Sequence, residues 1–260
     1  MVEESDETEE RYKAPALDKG LDILELLSGT EEGLSLAEIA KALERSPNEI
    51  YRMLGRLVRR DYVVRSNSDR FKLSLKLFGL AHRHPPMRRL VSLALPPMRR
   101  FAREAGQSCH MVVYDRGSGV VVAQIDAPSY WGLSIRVGAH VSLLNTSSGH
   151  VLLAFAAVAE RAMMLEERVV SPNETWPDHF EALLTEVHTR GYEIRPSQQT
   201  AGVTNVSVPI RDAGGRPLAA LTCPYLIRLD AESETAPTPE SVVPMLLSAA
   251  SEVSASAGID

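Results

Sequence analysis

Ser46-Pro47-Asn48-Glu49-Ile50-Tyr51-Arg52-Met53-Leu54-Gly55-Arg56-Leu57-Val58-Arg59-Arg60 is the stretch whose reading decides the fold. Ser46 stands three residues ahead of Glu49, the spacing of a capping box that satisfies the amides a helix start leaves without partners. Pro47 fits the first helical position, where no amide hydrogen is needed. At about 100° per residue, Ile50, Met53, Leu54, Leu57 and Val58 share one arc, while Asn48, Arg52, Arg56 and Arg59 share the opposite one. An arginine-rich face taken alone is commonly just a solvated surface, but the residues upstream change its meaning. Ser35-Leu36-Ala37-Glu38 is a second capping box, and Leu36, Ile39, Ala40 and Leu43 repeat at helical spacing. Only Glu44 and Arg45 separate this helix from the next. Two short helices on a tight turn, the second presenting arginines, outline a helix-turn-helix.

Working outward, Leu17, Leu21, Ile23, Leu24 and Leu27 predict a further helix ending near Ser28-Gly29, which would complete a three-helix core. After Arg60, Tyr62-Val63-Val64-Arg65 and Arg70-Phe71-Lys72-Leu73 flank the polar turn Ser66-Asn67-Ser68-Asp69, a hairpin pattern. A hairpin directly after a recognition helix is a wing. Its Arg65, Arg70 and Lys72 are placed to reach phosphates, while Val63, Phe71 and Leu73 close the core. The whole 260-residue chain carries a formal charge of -6, which argues against bulk attraction to nucleic acid. Locally the balance reverses. From Arg45 to Lys76 there are nine basic residues against three acids, a net +6.

Residues 1–13, with six acids before Arg11, predict a disordered tail. Leu75 to Arg83 reads as helical, with interruptions expected at Pro85-Pro86 and Pro96-Pro97. The leucines of this connector, Leu77, Leu80, Leu90 and Leu93, are too many for a free linker and suggest contacts between subunits. From Gln107 the chain turns β-rich. Strands are expected at Ser108–Tyr114, Gly119–Asp126, Leu133–Val137, Tyr192–Arg195, Val203–Asp212 and Arg216–Tyr225, with helices at Ser147–Ala159, Phe180–Arg190 and about Pro239–Ala255 and a loop around Pro172 and Pro177. Elements mixed without regular alternation predict an α+β class. The expected domains are 14–75 for DNA binding, 76–97 as a helical linker and dimerisation region, and 98–260 as a second domain.

Cys109 and Cys223, the only cysteines, are far apart and lack metal-ligand spacing, so free thiols in a reducing cytosol are expected. No apolar run reaches the length of a membrane span. An enzyme built on the C-terminal α+β domain is the alternative reading, but the chain lacks a G-x-S-x-G elbow, H-E-x-x-H, a P-loop and a dinucleotide-binding glycine pattern. Isolated His110 and His140 read as packed or surface histidines. No catalytic residue, metal or cofactor is expected.

The ordered set of Leu17 to Leu27, Leu34 to Ala40, Ile50-Tyr51-Arg52-Met53-Leu54, Gly191-Tyr192, Gly202-Val203 and Val208-Pro209-Ile210 through Ala219-Ala220-Leu221 resembles the IclR family of bacterial transcriptional regulators. The resemblance covers about Ala16 to the end. It implies an N-terminal winged helix-turn-helix, a C-terminal GAF-like α/β effector-binding domain with a mainly antiparallel sheet, and action as a homodimer or tetramer on a double-stranded DNA operator. The DNA-contacting set expected from the helix faces, caps and wing is Ser35, Ser46, Asn48, Tyr51, Arg52, Arg56, Arg59, Arg65, Arg70 and Lys72.

The resemblance also implies a small-molecule effector, usually a carboxylic or aromatic acid. Residue by residue, the effector positions fall on Asn145, Ser147, Ser148, Arg195, Asn205 and Thr222, with Leu143, Val203 and Trp131 around the organic body. Hydroxyls and free amides at a helix start favour an anion, and Arg195 is expected to grip its carboxylate. Capping alone is the plainer role for Ser147 and Ser148. His150 stands where the family often has lysine, Arg195 where it often has an acid, and Pro224 where a hydroxyl residue often contributes, so the preferred ligand does not transfer.

Overall fold

The computed structural model describes residues 14–170, 176–227 and 238–258. The expected tail and the stretch at Pro172 lie outside the described residues. The chain divides into two compact units between His84 and Pro85, within the segment read as a linker.

In the first unit, α1 (Pro15–Ser28), α2 (Leu36–Ala42) and α3 (Pro47–Arg59) pack on a small sheet. That sheet has the order β1-β3-β2, from β1 (Leu34–Ser35), β2 (Val63–Arg65) and β3 (Arg70–Leu73). Ile23, Leu27, Ile39, Ile50, Leu54, Val63 and Phe71 are buried together, so the apolar arc of α3 does form the core. Leu17 and Leu21, expected to share that core, are exposed. The short β1 has no sequence signal of its own: Leu34 and Ser35 pair with Phe71 and Arg70, an edge made by the wing. Helix α4 (Lys76–Ala81) ends the unit.

Both helices of the turn end in the same way. Glu44 and Asp61 adopt the left-handed region at φ 52° and 60°. The following amides reach back, Arg45 to the Ala40 carbonyl at 2.9 Å and Tyr62 to the Leu57 carbonyl at 2.9 Å. These are Schellman closures with an acid where glycine is usual.

The second unit is built on a six-stranded antiparallel sheet of order β6-β5-β4-β9-β8-β7. Its strands are β4 (Cys109–Asp115), β5 (Ser118–Ile125), β6 (His140–Val141), β7 (Glu193–Pro196), β8 (Val203–Arg211) and β9 (Pro217–Leu226). Alternation sorts the side chains. Met111, Val206, Val208, Leu221 and Cys223 face a core with α5 (Pro85–Ala105) and α9 (Pro239–Ala257). Val112 and Ala220 face α6 (Ser147–Phe155) and α8 (Phe180–Arg190). Both cysteines are free and buried, and burial pushes the Cys109 thiol up to about 12, which makes it unreactive.

Three expectations are corrected. The break expected at Pro96-Pro97 is absent, because α5 runs through both prolines. Leu90, Ala94, Pro97, Met98 and Phe101 are buried against the sheet and α9, and this packing holds the helix across the missing amides. The same packing takes Leu90, and Leu93 in part, into the unit's own core. The strand expected at Leu133–Val137 is an irregular segment along β5, tied by the Gly138 amide to the Val121 carbonyl at 2.7 Å, and pairing resumes only at β6. The helix expected over Ser147–Ala159 stops at Phe155, since Ala156 and Ala157 are extended, and α7 (Val158–Glu166) starts afresh.

Candidate functional site

The first candidate is the face of α3. Its start is fixed by the capping box, with the Glu49 amide donating to Ser46 Oγ at 3.4 Å and the Ser46 amide to Glu49 Oε2 at 3.3 Å. Lys19 of α1 donates to Glu49 Oε1 at 2.6 Å. These hydrogen bonds hold the Glu49 carboxyl at about 2, so it remains an anion that tethers α1 to α3. From this start Asn48, Tyr51, Arg52, Arg56 and Arg59 are all exposed. A groove of about 500 Å³ runs between α3 and the wing, lined by Arg52, Arg56, Arg59 and Arg65 together with Tyr51 and Phe71.

The wing residues divide. Arg65 is exposed, pairs with Asp69 at 3.0 Å and lies over the Phe71 ring at 5.7 Å. Arg70 is turned inward: Nη2 donates to the Gly33 carbonyl at 2.9 Å and lies 3.1 Å from Glu38. Glu38 also closes the α2 capping box with Ser35, whose amide donates to it at 2.7 Å. Arg70 and Ser35 therefore hold the unit together. Lys72 is half-buried beside Gly33.

The second candidate lies on the α6 side of the large sheet. A cavity of about 300 Å³ is bounded by His110 on β4, Asn205 on β8, Thr222 and Pro224 on β9, and Thr146, Ser147 and Ser148 at the start of α6. Its apolar wall is Leu133, Ile135, Ala139 and Val141, and Ser197, Gln199 and Thr200 approach from the loop after β7. Thr146 caps α6, accepting from the Gly149 amide at 3.0 Å. The segment before the helix presses close: a Cβ on Gly149 would stand 2.4 Å from the Leu143 carbonyl oxygen, so only glycine fits there. Thr222 Oγ1 lies 2.8 Å from Ser148 Oγ and 2.7 Å from Ser207 Oγ, a buried chain of three hydroxyls joining helix to sheet.

Among the described residues, no lysine, arginine, aspartate or glutamate lines this cavity. Arg195, expected to hold a carboxylate there, does not line it. Its Nε is 4.0 Å from Glu193, and its Nη1 is buried with no hydrogen-bond partner among the described residues. Asn145 is also absent from the lining, and its buried Oδ1 has no hydrogen-bond partner among the described residues. Leu143 and Val203 are core residues, and Trp131 is 67% exposed. Sequence reasoning missed His110. It is a packed histidine, 3% exposed, as expected, but its ring also forms cavity wall. Burial lowers it to about 4, so the imidazole is neutral at ordinary pH. The available signal was its position: antiparallel strands put His110 directly opposite Thr222.

Residues 16–66 match the sequence profile described as the IclR helix-turn-helix domain, and residues 87–255 match that of the bacterial transcriptional regulator IclR C-terminal domain. The chain belongs to the IclR family. It is a transcriptional regulator with a helix-turn-helix DNA-binding domain and an IclR effector domain, and its relatives are regulators, not enzymes.

This IclR regulator is 27% identical over 235 residues to the HTH-type transcriptional regulator KdgR of Escherichia coli, covering 88% of each chain. It is 27% identical over 209 residues to the glycerol operon regulatory protein of Streptomyces coelicolor, covering 79% of this chain and 82% of that one. The crystal structure of Thermotoga maritima IclR superposes with a TM-score of 0.75 at 24% identity, covering 95% of this chain and 100% of the other. An IclR homolog from Microbacterium hydrocarbonoxydans complexed with 4-hydroxybenzoate gives a TM-score of 0.75 at 22% identity, covering 93% and 98%. These two structures establish the fold alone. Among the described residues, no helix is long and apolar enough to cross a membrane, and no cluster of His, Cys, Asp or Glu is arranged to hold a metal.

Proposed function

We propose that this regulator acts in the cytoplasm as a homodimer or tetramer on an inverted-repeat operator, and that a small organic acid in the cavity at the start of α6 changes its affinity for DNA. The observation that carries the reading is the pairing of an exposed arginine face on a doubly capped helix with a cavity of mixed polar and apolar lining in a separate unit. On this reading Asn48, Tyr51 and Arg52 enter the major groove and Arg56, Arg59 and Arg65 meet phosphates, a role that the exposure of all six supports. Ser35, Ser46, Arg70 and Lys72 support that surface rather than lead it.

Oligomerisation follows from economy of recognition, since one winged helix reads too short a site for useful specificity and two-fold symmetry calls for inverted half-sites. Leu75, Phe78 and Leu80, in and just before α4, are exposed and available for subunit contacts from the 76–97 segment. In the cavity, the first amides of α6 lack intrahelical partners, and the helix dipole favours negative charge there. Ser147, Ser148, Asn205 and Thr222 surround that point. A carboxylic or aromatic acid satisfies the amides with its carboxylate and the Leu133, Ile135 and Val141 wall with its body. Binding to an operator fragment, followed by fluorescence anisotropy while small organic acids are titrated, tests the reading. An acid that raises the thermal midpoint and shifts operator affinity supports it. Operator affinity indifferent to every acid that stabilises the protein would place the control elsewhere.

A further inference from the structure

His110 is a cavity residue whose chemistry the acid-binding reading leaves unused; His140 lines the cavity as well, but its Nδ1 is partnered by Ser118 Oγ at 2.8 Å. His110 is buried, its ring lines the cavity, and its Nδ1 has no hydrogen-bond partner among the described residues. A buried polar atom without a partner destabilises the protein that carries it. The neighbours show why the protein does not supply one. Thr222, directly opposite on β9, shares its hydroxyl with Ser148 and Ser207, and Gln124, opposite on β5, donates to the Ile125 carbonyl and to Asp126. The polar groups flanking His110 are turned toward other partners, and the space beside the ring is the cavity.

We propose that His110 is a specificity-determining residue that hydrogen-bonds a second polar group of the effector, so that the effector is a hydroxy or oxo acid rather than a simple carboxylic acid. This rests on the reading that an acid occupies the cavity. A neutral imidazole has one N–H donor and one lone-pair acceptor. A hydroxyl on the ligand satisfies either nitrogen, and an oxo oxygen accepts from the N–H. The carboxylate stays at the start of α6, where amides are free, because the neutral ring offers no cation to compete for it. Discrimination comes from the penalty of leaving His110 unpaired when the ligand lacks the oxygen.

The test is calorimetry on the full-length protein with matched acids differing by one oxygen function: lactate and pyruvate against propionate, and 4-hydroxybenzoate against benzoate. In at least one pair the wild type is expected to prefer the oxygenated acid by about tenfold or more. His110→Phe and His110→Leu should bring that ratio near one. Ligand-free thermal midpoints should stay level or rise in the variants, since an unpaired polar atom is removed. Acids that bind wild type with no preference overturn the role of His110 and leave the acid reading standing, as does a preference that survives in a folded variant. Failure of both variants to fold makes His110 a structural residue and overturns the proposal. Acids that neither bind nor stabilise the wild type overturn the acid reading itself, and this inference with it.

Discussion

His150 is held against Glu193, with Nδ1 3.0 and 3.1 Å from the two carboxylate oxygens, and both side chains are almost fully buried. Nε2 of the same ring lies 2.6 Å from the Leu144 carbonyl, so each ring nitrogen has an oxygen partner. The pair thereby ties β7 to the segment that leads into α6. Removing one partner strands the other in an apolar setting. Glu193→Ala should destabilise the effector unit by about 3 to 5 kcal/mol. Trp131 and Trp176 are the only tryptophans and both belong to this unit, so their fluorescence in urea reads its unfolding separately. A loss below about 1 kcal/mol would rank the pair with exposed ion pairs and remove its structural role.

Arg52 and Arg70 should fail in different ways when truncated. Arg52 is exposed and lines the groove, whereas Arg70 is spent on Gly33 and Glu38. Arg52→Ala is expected to weaken operator binding roughly tenfold or more with little change in stability. Arg70→Ala should instead lower the thermal midpoint of the DNA-binding unit and leave the salt dependence of binding unchanged. Anisotropy across a salt series, with circular dichroism melts, separates the two. A reduced salt slope for Arg70→Ala would return that residue to the phosphate contacts.

The sequence carried the first unit well because its signals are local. Ser35-Glu38 and Ser46-Glu49 specify helix starts within four residues, and the apolar arc of α3 needs no knowledge of its partner. The second unit was legible where hairpins and Gly191 punctuate it, and obscure where distant packing decides. Nothing near Pro96 reveals that α9 and the sheet hold the helix through it. The cavity shows the same division. Ser147, Ser148, Asn205 and Thr222 were readable through the family's pattern, while His110 joins them only through cross-strand register. Arg195 shares a sheet face with Asn205, its partner across β7 and β8, yet Glu193 lies beside it and its side chain stays out of the cavity wall.

The left-handed closures of the turn give a prediction in the opposite direction. Glu44 carries a side chain at φ 52°, a conformation costing an L-residue roughly 1 kcal/mol that glycine adopts freely. Glycine also adds entropy to the unfolded chain, which takes back part of the gain. Glu44→Gly should therefore stabilise the DNA-binding unit by about 0.5 to 1 kcal/mol. A circular dichroism melt checks it. A fall in midpoint would mean that the Glu44 side chain makes a contact outweighing its backbone strain.

Acid should expose His110. Burial lowers its pKa from the ordinary 6.5 to about 4, so between those values the unfolded chain binds a proton that the folded chain does not. The sign follows: the stability linked to this group is fully present above pH 6.5 and is lost progressively as pH falls toward 4. At about 1.4 kcal/mol per unit, the loss across the window is about 3 kcal/mol. Among the described residues the ring meets no compensating negative charge, since Thr222 and Gln124 are neutral and the cavity lining includes a second histidine, His140, but no carboxylate. His110→Phe cannot take up that proton, so its urea midpoint should hold steadier than that of the wild type as pH drops from 6.5 to 4.5. Tryptophan fluorescence across that series decides it. Parallel decline of the two proteins would assign the acid sensitivity to other groups and show that His110 is readily protonated in the folded state.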